Sequence, residues 1–261
     1  MTAATVHTAL STLDQLAPID LPELTERAEL QTRMDRKYVL PVGELAALLP
    51  HVAPDTQVLE IGGARVFRYE SVYFDTPDLT CFRLAAHRRR RRFKVRTRSY
   101  LDSATCWLEV KTEGARGGTV KSRLPYRPDD HTTVAPGRAF VDTVLAGSAI
   151  TGAGLVFGPT LVTRYRRGTL YLPASASRVT IDVDLGWDDA GHTLCLPDMA
   201  VVETKTGSAA CRVDRLLWAR GHRPTSISKY ATGLVALRPH LPSNRWRRTL
   251  RRYFQPSTPD S

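Results

Sequence analysis

Several short stretches of the chain alternate charged and apolar side chains with a period of two. In Phe93-Lys-Val-Arg-Thr-Arg98 this alternation puts Lys94, Arg96 and Arg98 on one face of a strand and Phe93, Val95 and Thr97 on the other. Trp107-Leu-Glu-Val-Lys-Thr-Glu113 sets Glu109, Lys111 and Glu113 opposite Leu108 and Val110. Arg178-Val-Thr-Ile-Asp-Val-Asp184 sets Arg178, Thr180, Asp182 and Asp184 opposite Val179, Ile181 and Val183. The same design gives Glu203 and Lys205 one face in Val201–Lys205, and Lys121 and Arg123 one face in Val120–Leu124. Helical spacing marks patches near 43–50, 77–86, 137–147, 209–220 and 229–238. Val6, Leu10 and Leu13 add a short N-terminal helix, with a linker at Pro18 and Pro22. The class is α+β with a dominant antiparallel sheet. Alternation alone leaves two forms open, a half-solvated open sheet and a barrel with a wet lumen.

Charge decides what kind of partner such a face wants. Lysine and arginine total 37 against 26 acidic residues, a formal charge of +11 with a pI near 9.9. That balance calls for an anion: nucleic acid, an anionic membrane or a small polyanion. Like charges crowded on one strand face repel unless an anion sits among them. At 261 residues one main domain is expected. Cys81, Cys106, Cys195 and Cys211 lack Cys-x-x-Cys spacing, which argues against zinc and a disulfide framework. No apolar run approaches the roughly 20 residues that span a bilayer, and no basic-then-apolar leader opens the chain, so a cytoplasmic location is expected.

Seven motifs follow in one order: Arg33-Met-Asp-Arg-Lys-Tyr38, Tyr73-Phe-Asp-Thr-Pro77, Lys94-Val-Arg-Thr-Arg98, Leu108-Glu-Val-Lys111, Arg178-Val-Thr-Ile-Asp182, Val202-Glu-Thr-Lys205 and Ser228-Lys-Tyr230. Together they resemble the VTC domain of polyphosphate polymerases, within the triphosphate tunnel (CYTH-like) superfamily. The resemblance implies a closed, eight-stranded antiparallel β-barrel with helices packed outside. It places the tunnel domain at residues 30–240, an N-terminal helix and linker at 1–29, and a basic tail at 241–261. It also implies transfer of the ATP γ-phosphate to a growing inorganic polyphosphate, with Mn²⁺ or Mg²⁺. Carried over residue by residue, Lys37, Arg96, Arg98, Lys111, Arg167 and Arg178 fall on catalytic phosphate-binding positions. Lys94, Lys121, Arg123, Tyr165, Lys205, Ser228 and Lys229 serve substrate binding, and Glu203 is the metal glutamate. Lys121 and Arg123 compete for one basic position, and the family's Tyr-x-Arg spacing selects Arg167 over Arg166. Asp35 stands where relatives often carry a glutamate and is a further metal candidate.

The chemistry suits these residue types. Phosphoryl transfer asks a protein for positioning and for compensation of charge on the transferred group. One cation near a phosphate gains about 1 kcal/mol at 4 Å in water and about 4 at an effective dielectric near 20, so several partly enclosed cations are needed. Arginine grips two oxygens with its planar fork, whereas lysine acts as a mobile point charge. Glu109, Asp182 and Asp184 are read as counter-ions and Glu113 as solvent-facing. The run Arg88–Arg92 reads as a solvated mouth that attracts polyanions, and no nucleic-acid fold or stacking platform accompanies it. Gly114–Gly118 is a hairpin turn. Residues 245–254 combine arginine with aromatics at helical spacing, and two readings stay open: contact with an anionic membrane or a membrane-protein partner, and a partly disordered tail. Two other functions remain beside the polymerase: a tunnel-type tripolyphosphate or nucleoside-triphosphate hydrolase, and a non-catalytic polyphosphate-binding module.

Overall fold

A computed structural model of the protein describes residues 6, 10–28, 34–114, 118–152 and 154–254. Eleven strands make one sheet: β1 (Ala17–Ile19), β2 (Met34–Pro41), β3 (Gln57–Leu59), β4 (Val66–Asp75), β5 (Phe93–Tyr100), β6 (Thr105–Glu113), β7 (Thr119–Tyr126), β8 (Gly158–Leu172), β9 (Ser177–Asp189), β10 (His192–Leu196) and β11 (Met199–Thr206). Its main path runs β2-β11-β9-β8-β4-β5-β6-β7, with β10 on β9 and the parallel pair β1–β3 attached through β8. Helices cover Leu21–Arg27, Val42–Leu48, Thr80–Ala86, Arg138–Gly147, Arg212–Ala219, Lys229–Leu237 and Arg247–Tyr253.

The class is therefore mixed α+β on a large antiparallel sheet, as the alternation implies. The expected closed barrel is met only in part. Closure requires a ladder between the two end strands, and the path ends at β2 and β7 among the described residues.

The chain divides into two compact units, and β4, β8, β9 and β10 have residues in both. The first holds residues 1–68, 165–185 and 195–226. Its core joins Tyr38 and Leu40 of β2, Val179 and Ile181 of β9 and Val202 of β11 to Leu45, Leu48, Val213 and Leu217 of two helices. One buried carboxylate fastens the layers. Asp214 accepts from the Tyr38 hydroxyl and the Thr204 hydroxyl at 2.7 Å each, and from the Cys211 amide at 2.9 Å. Tyr38 thereby points to the helices, and its neighbour Lys37 to the opposite face of β2.

The second unit holds residues 69–164, 186–194 and 227–261. Phe93 and Val95 of β5 and Leu108 and Val110 of β6 are buried, with Val141 and Leu145 of the Arg138–Gly147 helix, which packs on β6. The helix Lys229–Leu237 lies tight against Trp187, whose indole nitrogen donates to the Lys229 carbonyl at 2.7 Å. A Cβ at Gly233 would overlap that indole ring. Gly233→Ala is expected to cost about 1–3 kcal/mol by overpacking, read as a fall of several degrees in Tm.

Four local expectations change. Pro18 and Pro22 do not make a linker: Pro18 lies in the three-residue edge strand β1, and Pro22 opens a helix where its missing N–H is no loss. Asp20 caps that helix, its carboxylate accepting from the Glu23 amide at 2.8 Å. The expected N-terminal helix lies largely outside the described residues, although Val6 and Leu10 are helical and Thr12–Gln15 forms a 3-10 turn. Arg33, the centre of the Gly114–Gly118 turn and residues 255–261 also lie outside them. Glu113 does not face solvent; its side chain is 13% exposed and pairs with Arg92 at 2.6 Å. The basic tail is ordered as far as Phe254, because Trp246 and Phe254 are buried. Among the described residues no helix is long and apolar enough to cross a membrane.

Candidate functional site

The antiparallel register of β5, β6 and β7 turns three alternating sequences into a grid in the second unit. Its rows are Lys94, Lys111 and Lys121, then Arg96, Glu109 and Arg123, then Arg98, Trp107 and Pro125. These three rows hold six cations and one carboxylate, Glu109, while Glu113, on the same face of β6 one row further, pairs with Arg92. That carboxylate is buried and takes Arg96 Nε at 2.9 Å and Nη2 at 2.6 Å, with Lys121 Nζ at 3.8 Å. Burial acts to raise the Glu109 pKa, but Arg96, Arg98, Lys111 and Lys121 outweigh it and hold the group well below the usual carboxylate range. Lys121 also shifts down: burial and then Arg123, Arg98 and Arg96 lower its pKa against the attraction of Glu109. The grid therefore has more positive charge than its own residues neutralise.

Aromatic side chains hold the arginines extended. Arg96 donates to the Tyr73 hydroxyl at 3.0 Å and lies 5.7 Å from that ring, Arg98 lies 5.7 Å from the Tyr69 ring, and Arg123 4.5 Å from the Trp107 ring. Tyr73 stacks on Tyr230 with ring centroids 5.0 Å apart. Tyr230 in turn donates to Asp75, whose carboxylate also accepts from the amides of Thr76, Cys81 and Phe82. These contacts explain why the Tyr73-Phe-Asp and Ser228-Lys-Tyr motifs accompany the basic strand. Tyr73, Asp75 and Tyr230 position the site and were not among its expected residues. Buried tyrosine and aspartate at strand and helix ends are the signal that marked them. Ser228 caps its helix and takes the Lys94 ammonium at 2.9 Å, and Lys229 begins the same helix.

The first unit holds a second array. Register aligns Asp35, Lys205 and Arg178 in one row, and Lys37, Glu203 and Thr180 in the next. Lys205 Nζ bridges two carboxylates, Glu203 Oε1 at 2.6 Å and Asp35 Oδ2 at 3.1 Å. Burial would raise the Glu203 pKa, yet Lys37, Lys205 and Arg167 hold it well below the ordinary value of 4.5. Arg167 makes a two-point contact with Asp182, at 2.5 and 2.8 Å, and lies 5.3 Å from the Tyr165 ring. Arg166, on the other face of β8, pairs instead with Asp184. Asp184, expected as a counter-ion beside Asp182, takes a left-handed backbone with φ of 52° and has Arg166, not Arg167, as its partner.

The expected residues thus fall into two groups. Lys94, Arg96, Arg98, Lys111, Lys121, Arg123, Ser228 and Lys229 belong to the second unit, and Lys37, Tyr165, Arg167, Arg178, Glu203 and Lys205 to the first. Among the described residues no group of three or more His, Cys, Asp or Glu side chains is placed to share a metal ion. Glu203 and Asp35 nevertheless hold one cation between them, the Lys205 ammonium, and two carboxylates with added phosphate oxygens are a donor set that hard divalent ions accept.

The family model described as the VTC domain matches residues 32–147. That match spans less than half of the chain. The matched segment contains β2, β4 and the complete β5–β7 grid. Among solved structures, an adenylyl cyclase candidate from Hippeastrum, described as revealing a dominant triphosphatase activity, is 18% identical; the match covers 82% of this chain and 100% of that one, with a TM-score of 0.46. The PH1012 protein of Pyrococcus horikoshii and a conserved hypothetical protein of Pyrococcus furiosus are each 11% identical, covering 73% of this chain and 88% of theirs, with TM-scores of 0.38. No curated protein matches the chain. At these identities no activity is carried over from the solved structures.

Proposed function

We propose that the protein is a polyphosphate polymerase that transfers the ATP γ-phosphate to a growing inorganic polyphosphate. The observation that carries this reading is the β5–β7 grid, whose three rows hold six cations and the one carboxylate Glu109. A ligand with one negative charge satisfies one or two such cations; a phosphate chain satisfies a whole column of them. Nucleic acid fits less well, since Tyr73, Tyr69 and Trp107 beside the grid each already lie against one of its own arginines.

In this reading the strands bear the basic tunnel that the VTC resemblance implies. Lys94, Lys111 and Lys121 let phosphates slide, while Arg96, Arg98 and Arg123 fix oxygens by their forks. Lys37, Arg167 and Arg178 compensate charge on the transferred group, where the protein supplies position and not acid–base chemistry. Glu203, with Asp35, would hold Mn²⁺ or Mg²⁺, which supplies Lewis-acid charge compensation at phosphoryl oxygens.

The test is incubation of the purified protein with labelled ATP and Mn²⁺. Long polymer is expected. Free phosphate alone would replace the polymerase by a hydrolase of the same substrate class, and binding of polyphosphate without turnover would leave a binding module.

A further inference from the structure

From Leu241 to Phe254 the chain has five arginines and no acidic residue. One side of this segment is consumed by packing. Trp246, Thr249 and Phe254 are buried, with Trp246 against Phe82 at 5.9 Å and Phe254 against Trp187 at 5.4 Å between ring centroids. Arg245 ties the segment down further, donating to the Ala85 carbonyl at 2.7 Å. Burial, Arg92 and Arg88 together pull the Arg245 pKa down, so the 88–92 arginine run lies beside it. The other side faces solvent: Arg247, Arg248, Arg251 and Arg252 are exposed and, with Asn244, line an open groove of about 650 Å³.

Arg247 and Arg251, and likewise Arg248 and Arg252, are four residues apart, so two rows of guanidinium groups advance about 6 Å per step along the helix. Like charges at this spacing destabilise a helix. Among the described residues no carboxylate pairs with them to offset this, whereas Arg96 and Arg167 of the two site arrays have Glu109 and Asp182. The design asks for an external anion.

We propose that this groove docks a linear inorganic phosphate chain outside the β5–β7 grid, an inference that rests on the polyphosphate reading of the site. A membrane fits less well, because the apolar side chains that would insert among lipids are already buried. Nucleic acid lacks a stacking partner, since no aromatic side chain lines the groove. Arginine forks grip successive phosphates, and a chain held here stays near the protein between additions.

The experiment uses full-length protein carrying Arg98→Ala and Lys111→Ala, which weaken the grid, and titrates inorganic polyphosphate of defined length at several salt concentrations. Adding Arg247→Gln, Arg248→Gln, Arg251→Gln and Arg252→Gln is expected to lower the remaining affinity by about tenfold or more and the salt slope by about 3. The melting temperature serves as the folding control; if the fourfold variant fails to fold, Arg247→Gln with Arg251→Gln is expected to lower the slope by about half as much. Unchanged affinity and slope would overturn the proposal. So would arginine-dependent binding to vesicles containing phosphatidylglycerol without arginine-dependent binding to polyphosphate. This assay contains no ATP, so failure of the polymerase reading appears separately, in the turnover experiment.

Discussion

Arg96→Ala is expected to lower polymer synthesis by about 10²–10³-fold and to destabilise the fold by about 3–5 kcal/mol. Both effects come from one geometry. The Arg96 side chain is 8% exposed and grips Glu109, 2% exposed, through two nitrogens while reaching the Tyr73 hydroxyl with a third. Its removal takes a cation from the centre of the grid and strands a buried carboxylate. The double variant Arg96→Ala with Glu109→Ala removes the stranded charge, so much of the stability should return while synthesis does not. Lys111→Ala is the cleaner probe of function. Lys111 lies between Lys94 and Lys121 in register, and its loss removes repulsion from those cations along with its attraction to Glu109. Synthesis should fall with little change in Tm. Normal synthesis by both Arg96→Ala and Lys111→Ala would mean that the grid does not hold the substrate.

Glu203→Gln should abolish the response of activity to Mn²⁺, or activity itself, and flatten the acid side of the stability profile. Lys205, Lys37 and Arg167 hold this carboxylate ionised against the pull of burial. A depressed native pKa contributes stability that is present above the ordinary value of 4.5 and is lost as pH falls toward the native pKa. Glu109 behaves the same way. Denaturation followed from neutral pH down into the acid range should therefore show a shallower slope below 4.5 in Glu203→Gln than in the parent chain. A manganese titration indistinguishable from the parent would remove Glu203 from the metal site. The neutral amide also frees Lys205 from one of its two carboxylates, leaving Asp35 as its partner.

Much of this site was visible along single strands. Alternation alone put Lys94, Arg96 and Arg98 on one face, and Lys121 with Arg123 on another, because side chains on a pleated strand must point to alternate sides. The same rule did not tell which arginine each aspartate takes: Arg167 pairs with Asp182 and Arg166 with Asp184, whose left-handed backbone no change in composition announces. Pro22 misled for a related reason: proline breaks a helix interior but begins a helix well, and only the position of the cap distinguishes the two.

What the sequence by itself determined is local: the class of the fold, the charged face of each strand, and the ordered motifs that resemble a VTC domain. Tertiary structure decided which of those charges meet. The antiparallel register placed Glu109 between Arg96 and Arg123, and Lys205 between Asp35 and Arg178. It also made Asp75 and Asp214 buried anchors, and set the C-terminal arginines beside the 88–92 run. Strand periodicity has a range of one strand, whereas register and helix packing join residues more than a hundred positions apart. Charge compensation acts across those contacts, so the counter-ions of this site became legible only once the strands were paired.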